Sequence, residues 1–164
     1  MGDLLVPLLK LPELEPLLER LAASDIGIRR ARSYEKSHVQ RFVQRHFSEG
    51  WTDEAMVSFA RVPIGCFIAT HQKKIVGFAV VEATAPNFFG PTGVEPAERS
   101  KGIGTALLVT ALRALREVGY VYAIIGSAGP VGFYSRTVHA SPIEDSVPGI
   151  YSDILTVDPD QSAR

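Results

Sequence analysis

One stretch of the 164-residue sequence, Val94–Gly104 with the apolar segment after it, constrains the fold more than any other. The residues before it alternate as in a strand. After it, positions 103, 107, 111, 115 and 118 are all apolar, and this spacing predicts an amphipathic helix. Gly119 is typical of the residue that ends a helix. The sequence therefore predicts a strand, a glycine-containing turn and a long helix.

The turn has the composition of an anion-binding site. The first backbone N–H groups of a helix have no intrahelical acceptor, and the helix dipole is positive at that end. Gly102 and Gly104 lack a Cβ, so a phosphate can approach the backbone closely. Arg99 and Lys101 supply positive charge at the rim. We therefore predict a pyrophosphate-binding turn, although glycine-rich strand-to-helix turns are common and many hold no ligand.

Two familiar phosphate-binding patterns do not fit this turn. A Walker A loop has its lysine after the glycines, whereas Lys101 precedes them. A dinucleotide-binding fingerprint has a third glycine at the position of Leu107. Both nucleotide-binding classes are therefore disfavoured.

A third pattern does fit. The run Arg99-Ser100-Lys101-Gly102-Ile103-Gly104 matches the Arg/Gln-x-x-Gly-x-Gly/Ala signature of the GNAT acyltransferases, and Val94-x-Pro96 is the usual lead-in to it. The chain therefore resembles a GNAT-family, acyl-CoA-dependent N-acyltransferase, most strongly from Ile64 to Tyr134. The resemblance implies that this loop binds the pyrophosphate of coenzyme A through backbone amides, with acetyl-CoA as the co-substrate.

The order of the predicted elements indicates an α/β fold. The resemblance implies the GNAT-like acyl-CoA acyltransferase fold, in which a mixed, mostly antiparallel sheet is flanked by helices. We expect this domain over residues 26–157, with a leucine-rich helical extension over residues 1–25 and a polar tail over residues 158–164. Four leucines of the extension fall on one helical face, and this face either packs on the core or binds a partner. These are Leu14, Leu17, Leu18 and Leu21.

Several local predictions complete this outline. Ser33 and Thr52 are predicted to cap the two helices that follow a strand at Ile26. Two strands, Cys66–Thr70 and Ile75–Thr84, are predicted to form a hairpin. A last strand is predicted over Ile150–Val157.

The segment Phe88–Val94 is predicted to be a bulged strand, because Gly90, Pro91 and Gly93 interrupt it. The resemblance implies that the bulge separates this strand from the next, so that the pantetheine arm pairs with free backbone. It also implies that Ser127 stands where many members have a coenzyme-binding asparagine. The predicted coenzyme-binding residues are Thr92, Gly93, Val94, Arg99, Ser100, Lys101, Gly102, Ile103, Gly104, Thr105 and Ser127.

Two residues are predicted to be catalytic. Tyr134 resembles the GNAT tyrosine that protonates the leaving thiolate, and a phenol is protonated at neutral pH. The resemblance also implies that a strand N–H near Val94 donates to the thioester carbonyl. Glu82 is the predicted general base, because it shares a strand face with apolar residues; a solvated position at the strand end is the alternative. His139 is a more distant candidate for the base.

Composition limits the other possibilities. A formal net charge of -1 gives no reason to expect a nucleic acid or an anionic membrane as partner. The one cysteine, Cys66, lies in an apolar run and is predicted to be a core residue, and no metal-ligand pattern appears. No apolar run approaches the ~20 residues of a membrane span. With no signal-peptide pattern, the cytoplasm is the expected location.

The sequence-based hypothesis is an acetyltransferase that acts on a primary amine, in a small molecule or a peptide, by direct attack in a ternary complex. In the GNAT family, the two helices after the first strand border the acceptor pocket, so Trp51 is a candidate lining residue or a core anchor. A catalytically silent coenzyme-A-binding module is the alternative, and a scaffold with no ligand is a third possibility. Dimers are common in the family, and a homodimer is possible here.

Overall fold

The computed structural model describes residues 1–156. The predicted polar tail and Val157 lie outside the described residues. The strands are β1 (Leu4–Pro7), β2 (Ile26–Arg30), β3 (Cys66–His71), β4 (Lys74–Val81), β5 (Phe88–Val94), β6 (Tyr122–Ile125) and β7 (Ser141–Pro142). The helices are α1 (Glu15–Ala22), α2 (Lys36–His46), α3 (Glu49–Val57), α4 (Ile103–Val118) and α5 (Val131–Val138).

The seven strands form one mixed sheet in the order β2-β3-β4-β5-β6-β1-β7. Strands β2 to β5 pair antiparallel, β5 and β6 pair parallel, and β1 is antiparallel to both of its neighbours. Helices cover the sheet, so the predicted α/β fold is confirmed. No helix among residues 1–156 is long and apolar enough to cross a membrane.

The N-terminal segment differs from the prediction of a helical extension. Leu4–Pro7 is a strand, and it lies inside the sheet between β6 and β7. Leu4 and Val6 are buried while Leu5 and Pro7 are half-buried, which is the two-residue period of a strand. The density of leucines in this segment hides that alternation. The leucine stripe further on does form a helix, α1, which packs on the core through Leu14 and Leu21.

The sheet separates two apolar cores. Helices α1 and α4 lie over one face, where nine residues of α4 are buried. Helices α2 and α3 cover the other face and pack on alternate residues of β3 and β4. Cys66 is fully buried in the second core, and this burial raises the pKa of its thiol to about 12. Cys66 is therefore a core residue, as predicted.

Three local predictions are wrong. Helix α3 is capped by Ser48, whose hydroxyl accepts the Trp51 N–H at 3.2 Å, whereas Thr52 is buried inside the helix and bonds back to the Ser48 carbonyl. Ser33 opens a 3-10 turn before α2 and caps nothing. From residue 149 to 156, where a last strand is predicted, the chain forms a 3-10 turn followed by irregular structure.

Candidate active site

A cleft opens where β5 and β6 diverge. The two strands pair only at Phe88 with Ile124 and at Phe89 with Ile125, so residues 90–94 have no partner on β6. On its other side β5 remains paired with β4, and a register shift places two residues of β5, Gly90 and Pro91, against one of β4, Val80. The predicted bulge at Gly90 and Pro91 is thus present. It leaves one edge of β5 free to pair with something other than protein.

Gly93 lies on the floor of this region and has a packing role that the sequence did not reveal. A Cβ at this position would overlap the ring of Phe47, which lies over the strand. Phe47 stacks on Trp51 with ring centroids 5.3 Å apart, and Trp51 is 38% exposed. Trp51 therefore forms an aromatic wall with Phe47 beside β5 and also reaches solvent. Its role in lining an acceptor pocket stays a prediction.

The turn between β5 and α4 is stabilised by polar contacts of its own. Arg99 donates from Nε to the Val94 carbonyl at 3.1 Å. Lys101 Nζ donates to Glu98 at 2.5 Å, and His71 Nδ1 lies 3.1 Å from the other oxygen of that carboxylate. These two contacts, with Lys101 the stronger influence, hold the pKa of Glu98 below its ordinary value. The carboxylate thereby fixes two nitrogen-bearing side chains beside the turn.

The glycines of the turn have different roles. Gly102 has a φ of 91°, in the left-handed region that favours glycine, and immediately precedes the first residue of α4. Gly104 has ordinary helical backbone, and a Cβ there would meet only Val94, at 3.8 Å. Within α4, the first backbone N–H that bonds back along the chain is that of Ala106, to the Gly102 carbonyl. The amides of residues 103–105 are therefore available to an anion.

Tyr134 lies at the closed end of the cleft. Its ring packs edge-on against Phe89, with centroids 6.4 Å apart, and Phe89 is the last residue of β5 that pairs with β6. Tyr134 is 6% exposed, and burial raises the pKa of its hydroxyl above the ordinary value. The phenol therefore carries its proton at neutral pH. Its position and protonation both suit a proton donor.

The loop after β6 is held by the N-terminal segment. The Ser127 N–H donates to Asp3 Oδ1 at 2.8 Å, and the Ala128 N–H donates to the Gly2 carbonyl at 3.1 Å. The backbone amide of Ser127 is thus already engaged. Only its side chain is left for the predicted coenzyme contact.

Glu82 has a different environment from the one the sequence suggested. Strand β4 ends at Val81 and the chain turns at Glu82, where φ is 55°, so the predicted shared strand face is wrong. The carboxylate is buried and pairs with Arg61 at 2.7 Å. Its other oxygen accepts the hydroxyl of Tyr120 at 2.6 Å, just beyond the C-terminal end of α4. Both oxygens are engaged, which argues against the base role. His139 ends α5 and is exposed.

A further polar group lies on the α2/α3 side of the cleft, and sequence reasoning missed it. Thr84 donates to Glu54 at 2.9 Å, and the ring of Tyr151 lies 3.4 Å from where a Cβ of Gly126 would be. Burial raises the pKa of Tyr151, and the charge of Glu54 adds to this effect. These residues come from α3, the loop after β4 and the C-terminal 3-10 turn, so no local spacing pattern connects them. No group of three or more potential metal ligands occurs among residues 1–156.

Comparison with known proteins identifies the domain. A family model of the GNAT acetyltransferase domain matches residues 63–137, which contain β5, the turn, α4 and most of α5. Over these residues the chain is similar to the GNAT acetyltransferase domain. No curated protein sequence matches the chain.

Solved structures of GNAT proteins share the fold. The glucosamine N-acetyltransferase region of a fungal β-N-acetylglucosaminidase superposes with a TM-score of 0.70 at 17% identity, over 87% of this chain and 19% of that one. A GCN5-related N-acetyltransferase from Sphaerobacter thermophilus gives 0.63 at 19% identity, over 87% and 48%. A GNAT acetyltransferase from Brucella melitensis, solved with acetyl-CoA, gives 0.50 at 19% identity, over 69% and 81%. The present chain thus spans less than half of the length of the first two proteins.

Proposed function

We propose that the protein is a cytoplasmic N-acetyltransferase that moves an acetyl group from acetyl-CoA to a primary amine. One observation carries the proposal: the free edge of β5 leads directly to the amides of residues 103–105 at the start of α4. A single buried cysteine also suits a reducing compartment.

The coenzyme would follow the cleft from one end to the other. Its pyrophosphate would accept hydrogen bonds from the amides of residues 103–105, with Arg99 at the rim. Its pantetheine arm would pair with the free edge of β5 at residues 92–94. This course brings the thioester towards Phe89, against which Tyr134 packs.

The reaction would then proceed without a covalent enzyme intermediate. The neutral amine attacks the thioester carbonyl carbon, a carbon–nitrogen bond forms, and the carbon–sulfur bond breaks. The N–H groups on the free edge of β5 stabilise the developing oxyanion. Tyr134 donates its proton to the departing thiolate, and the hydrophobic surroundings that raise its pKa keep that proton in place until then. The proton that the attacking nitrogen loses passes to solvent water, and a proton from solvent restores the phenol of Tyr134.

The acceptor would enter from the face covered by α2 and α3. The aromatic wall of Phe47 and Trp51 lies on that face, and so does the polar group of Glu54, Thr84 and Tyr151. A small-molecule or peptide amine fits such a surface, because it offers apolar contact and a carboxylate for an ammonium group.

The decisive experiment is calorimetric titration with acetyl-CoA and coenzyme A, with adenosine for comparison. We expect micromolar binding of both coenzymes and a loss of about tenfold or more in the Gly104→Val variant, because a branched side chain would enter the phosphate approach. Gly50→Val is the matched control, since a Cβ at this exposed glycine of α3 meets nothing within 4 Å and that of Gly104 meets only Val94, at 3.8 Å. A folded wild-type protein that binds neither coenzyme would overturn the proposal.

A coenzyme-binding module without turnover is the second candidate. It is favoured by the pairing of Glu82 with Arg61 and Tyr120, which leaves the proposed reaction without an assigned base. Release of free coenzyme A in the presence of a panel of amines separates the two candidates. Turnover on any amine supports the transferase, and tight binding with no turnover on the whole panel supports the module.

A further inference from the structure

Helix α1 reaches the turn at the start of α4. Its Leu17 and Arg20 lie 2.9 Å and 3.1 Å from the position that a Cβ of Gly102 would take, the second distance being to a guanidinium nitrogen. The helix is held against α4 by Glu15, which accepts from Arg113 of α4 at 2.6 Å. Arg20 thus lies on a fixed element next to the phosphate-binding turn. It is not part of the family signature.

A cavity of about 340 Å³ opens beside this arginine. Leu21 and Ile26, both buried, provide apolar lining. The other lining residues are polar or basic: Arg20, Ser24, His71 and Lys101. The cavity therefore combines a closed apolar side with a rim of nitrogen donors.

The basic side chains at the rim of the cavity differ in whether a carboxylate contacts them. Lys101 and His71 both contact Glu98, which holds them in place and offsets part of their charge. Among residues 1–156, Arg20 makes neither an ion pair nor a side-chain hydrogen bond. The exposed guanidinium of Arg20 is thus the free charge at this cavity. A guanidinium binds phosphate through two parallel hydrogen bonds.

Coenzyme A carries two kinds of phosphate. The pyrophosphate suits the backbone amides of the turn, as proposed above. The 3′-phosphate of the ribose is a monoester with a charge of about -1.5 to -2 at pH 7. A group of that charge calls for cationic side chains, and the cavity next to the turn supplies them.

We propose that Arg20, together with Lys101 and His71, binds the 3′-phosphate of coenzyme A in this cavity. The inference rests on the proposed function. It assigns to α1 a direct part in coenzyme recognition, and it predicts that the protein distinguishes coenzyme A from 3′-dephospho-coenzyme A.

The test is calorimetric titration of wild type, Arg20→Gln and Arg20→Lys with both compounds at low and physiological salt. We expect wild type to bind coenzyme A about tenfold more tightly than the dephospho compound, as one charge-assisted contact allows. In Arg20→Gln this ratio falls towards one while affinity for the dephospho compound is unchanged, and Arg20→Lys restores part of the ratio. Salt lowers the wild-type ratio, because the cavity is open to solvent.

Arg116→Gln is the control, since it removes the same charge from the far end of α4 and should leave the ratio at the wild-type value. Equal loss of affinity for both compounds in Arg20→Gln would place Arg20 at the pyrophosphate and overturn the inference. An unchanged ratio would overturn it as well. In both cases the coenzyme still binds, whereas a wild-type protein that binds neither compound removes the proposed function and this inference together.

Discussion

The two ends of α4 look alike in sequence and differ in what surrounds them. Each is marked by a glycine in the left-handed region, Gly102 with a φ of 91° and Gly119 with a φ of 117°. At the C-terminal end the polar groups are satisfied within the protein: the Gly119 N–H bonds to Arg116, and the Tyr120 hydroxyl bonds to Glu82. At the N-terminal end the amides of residues 103–105 and the guanidinium of Arg20 have no hydrogen-bond partner among residues 1–156.

This difference shows how a helix end used for structure is distinguished from one used for binding. A left-handed glycine serves both, because it only lets the chain turn. The distinguishing feature is whether the surrounding polar groups form a closed network. By that criterion the Arg61, Glu82 and Tyr120 network is structural, and the turn before α4 has the unpaired amides that the proposed ligand site requires.

The largest expected effect is a difference in kcat between variants of two tyrosines, Tyr134 and Tyr120. Tyr134→Phe removes the proposed proton donor at the cleft and should lower kcat by about 100-fold, with the Kd for acetyl-CoA unchanged. Tyr120→Phe removes a hydroxyl from the closed network at the other end of α4 and should leave kcat near the wild-type value. The measurements are steady-state kinetics with an acceptor found in the amine panel and calorimetry with acetyl-CoA. An undiminished rate in Tyr134→Phe would exclude this residue as a required acid.

A smaller effect is expected on acetyl-CoA affinity, which should differ between variants of Gly102 and Gly119. Gly119→Ala forces alanine into the left-handed region with open space around it and should cost about 1 kcal/mol, or roughly 3 °C in Tm. Gly102→Ala should cost more, because its Cβ would also displace Leu17, which lies 2.9 Å from that position. Only Gly102→Ala should also weaken acetyl-CoA binding, by about tenfold, because it alone changes the backbone at the amides of residues 103–105. Thermal melting and calorimetry on both variants check this. Equal coenzyme affinity in the two variants would remove the contrast between the ends.

The smallest effect concerns Glu82. Glu82→Gln weakens the contacts with Arg61 and Tyr120 and should lower Tm by a few degrees while kcat stays within about twofold of wild type. In wild type the hydrogen bond to Glu82 raises the pKa of Tyr120, so its contribution to stability is present below about pH 10 and is lost as the pH rises further.

The difference in Tm between wild type and Glu82→Gln should accordingly have its maximum value near pH 8 and decrease above pH 10. A spectrophotometric titration should show the pKa of Tyr120 moving back towards its ordinary value in the variant. A large loss of kcat with an unchanged Tm would instead support Glu82 as the general base.

A region could be predicted from the sequence when neighbouring residues in the chain determine its structure. The bulge in β5, the glycine turn and α4 are specified by consecutive residues, so periodicity and a six-residue motif were sufficient. Strand β1 was missed because its partner, β6, lies far away in the sequence and its leucines suit a helix equally well. The group of Glu54, Thr84 and Tyr151 was missed for the same reason, since three separate segments contribute to it.

The place of β1 in the sheet also bears on how the domain folds. Leu4–Pro7 pairs with Tyr122–Ile125 of β6, and most of the chain lies between these two strands in sequence. Such non-local pairing forms slowly, because the entropy cost of closing the long loop must be met before the strands gain their contacts. The local hairpin of β3 and β4 has no such barrier. We therefore expect the β4 side of the cleft to form early and the β6 side, with the loop held by Asp3, to form last. Competence to bind the coenzyme would then mark the final step of folding.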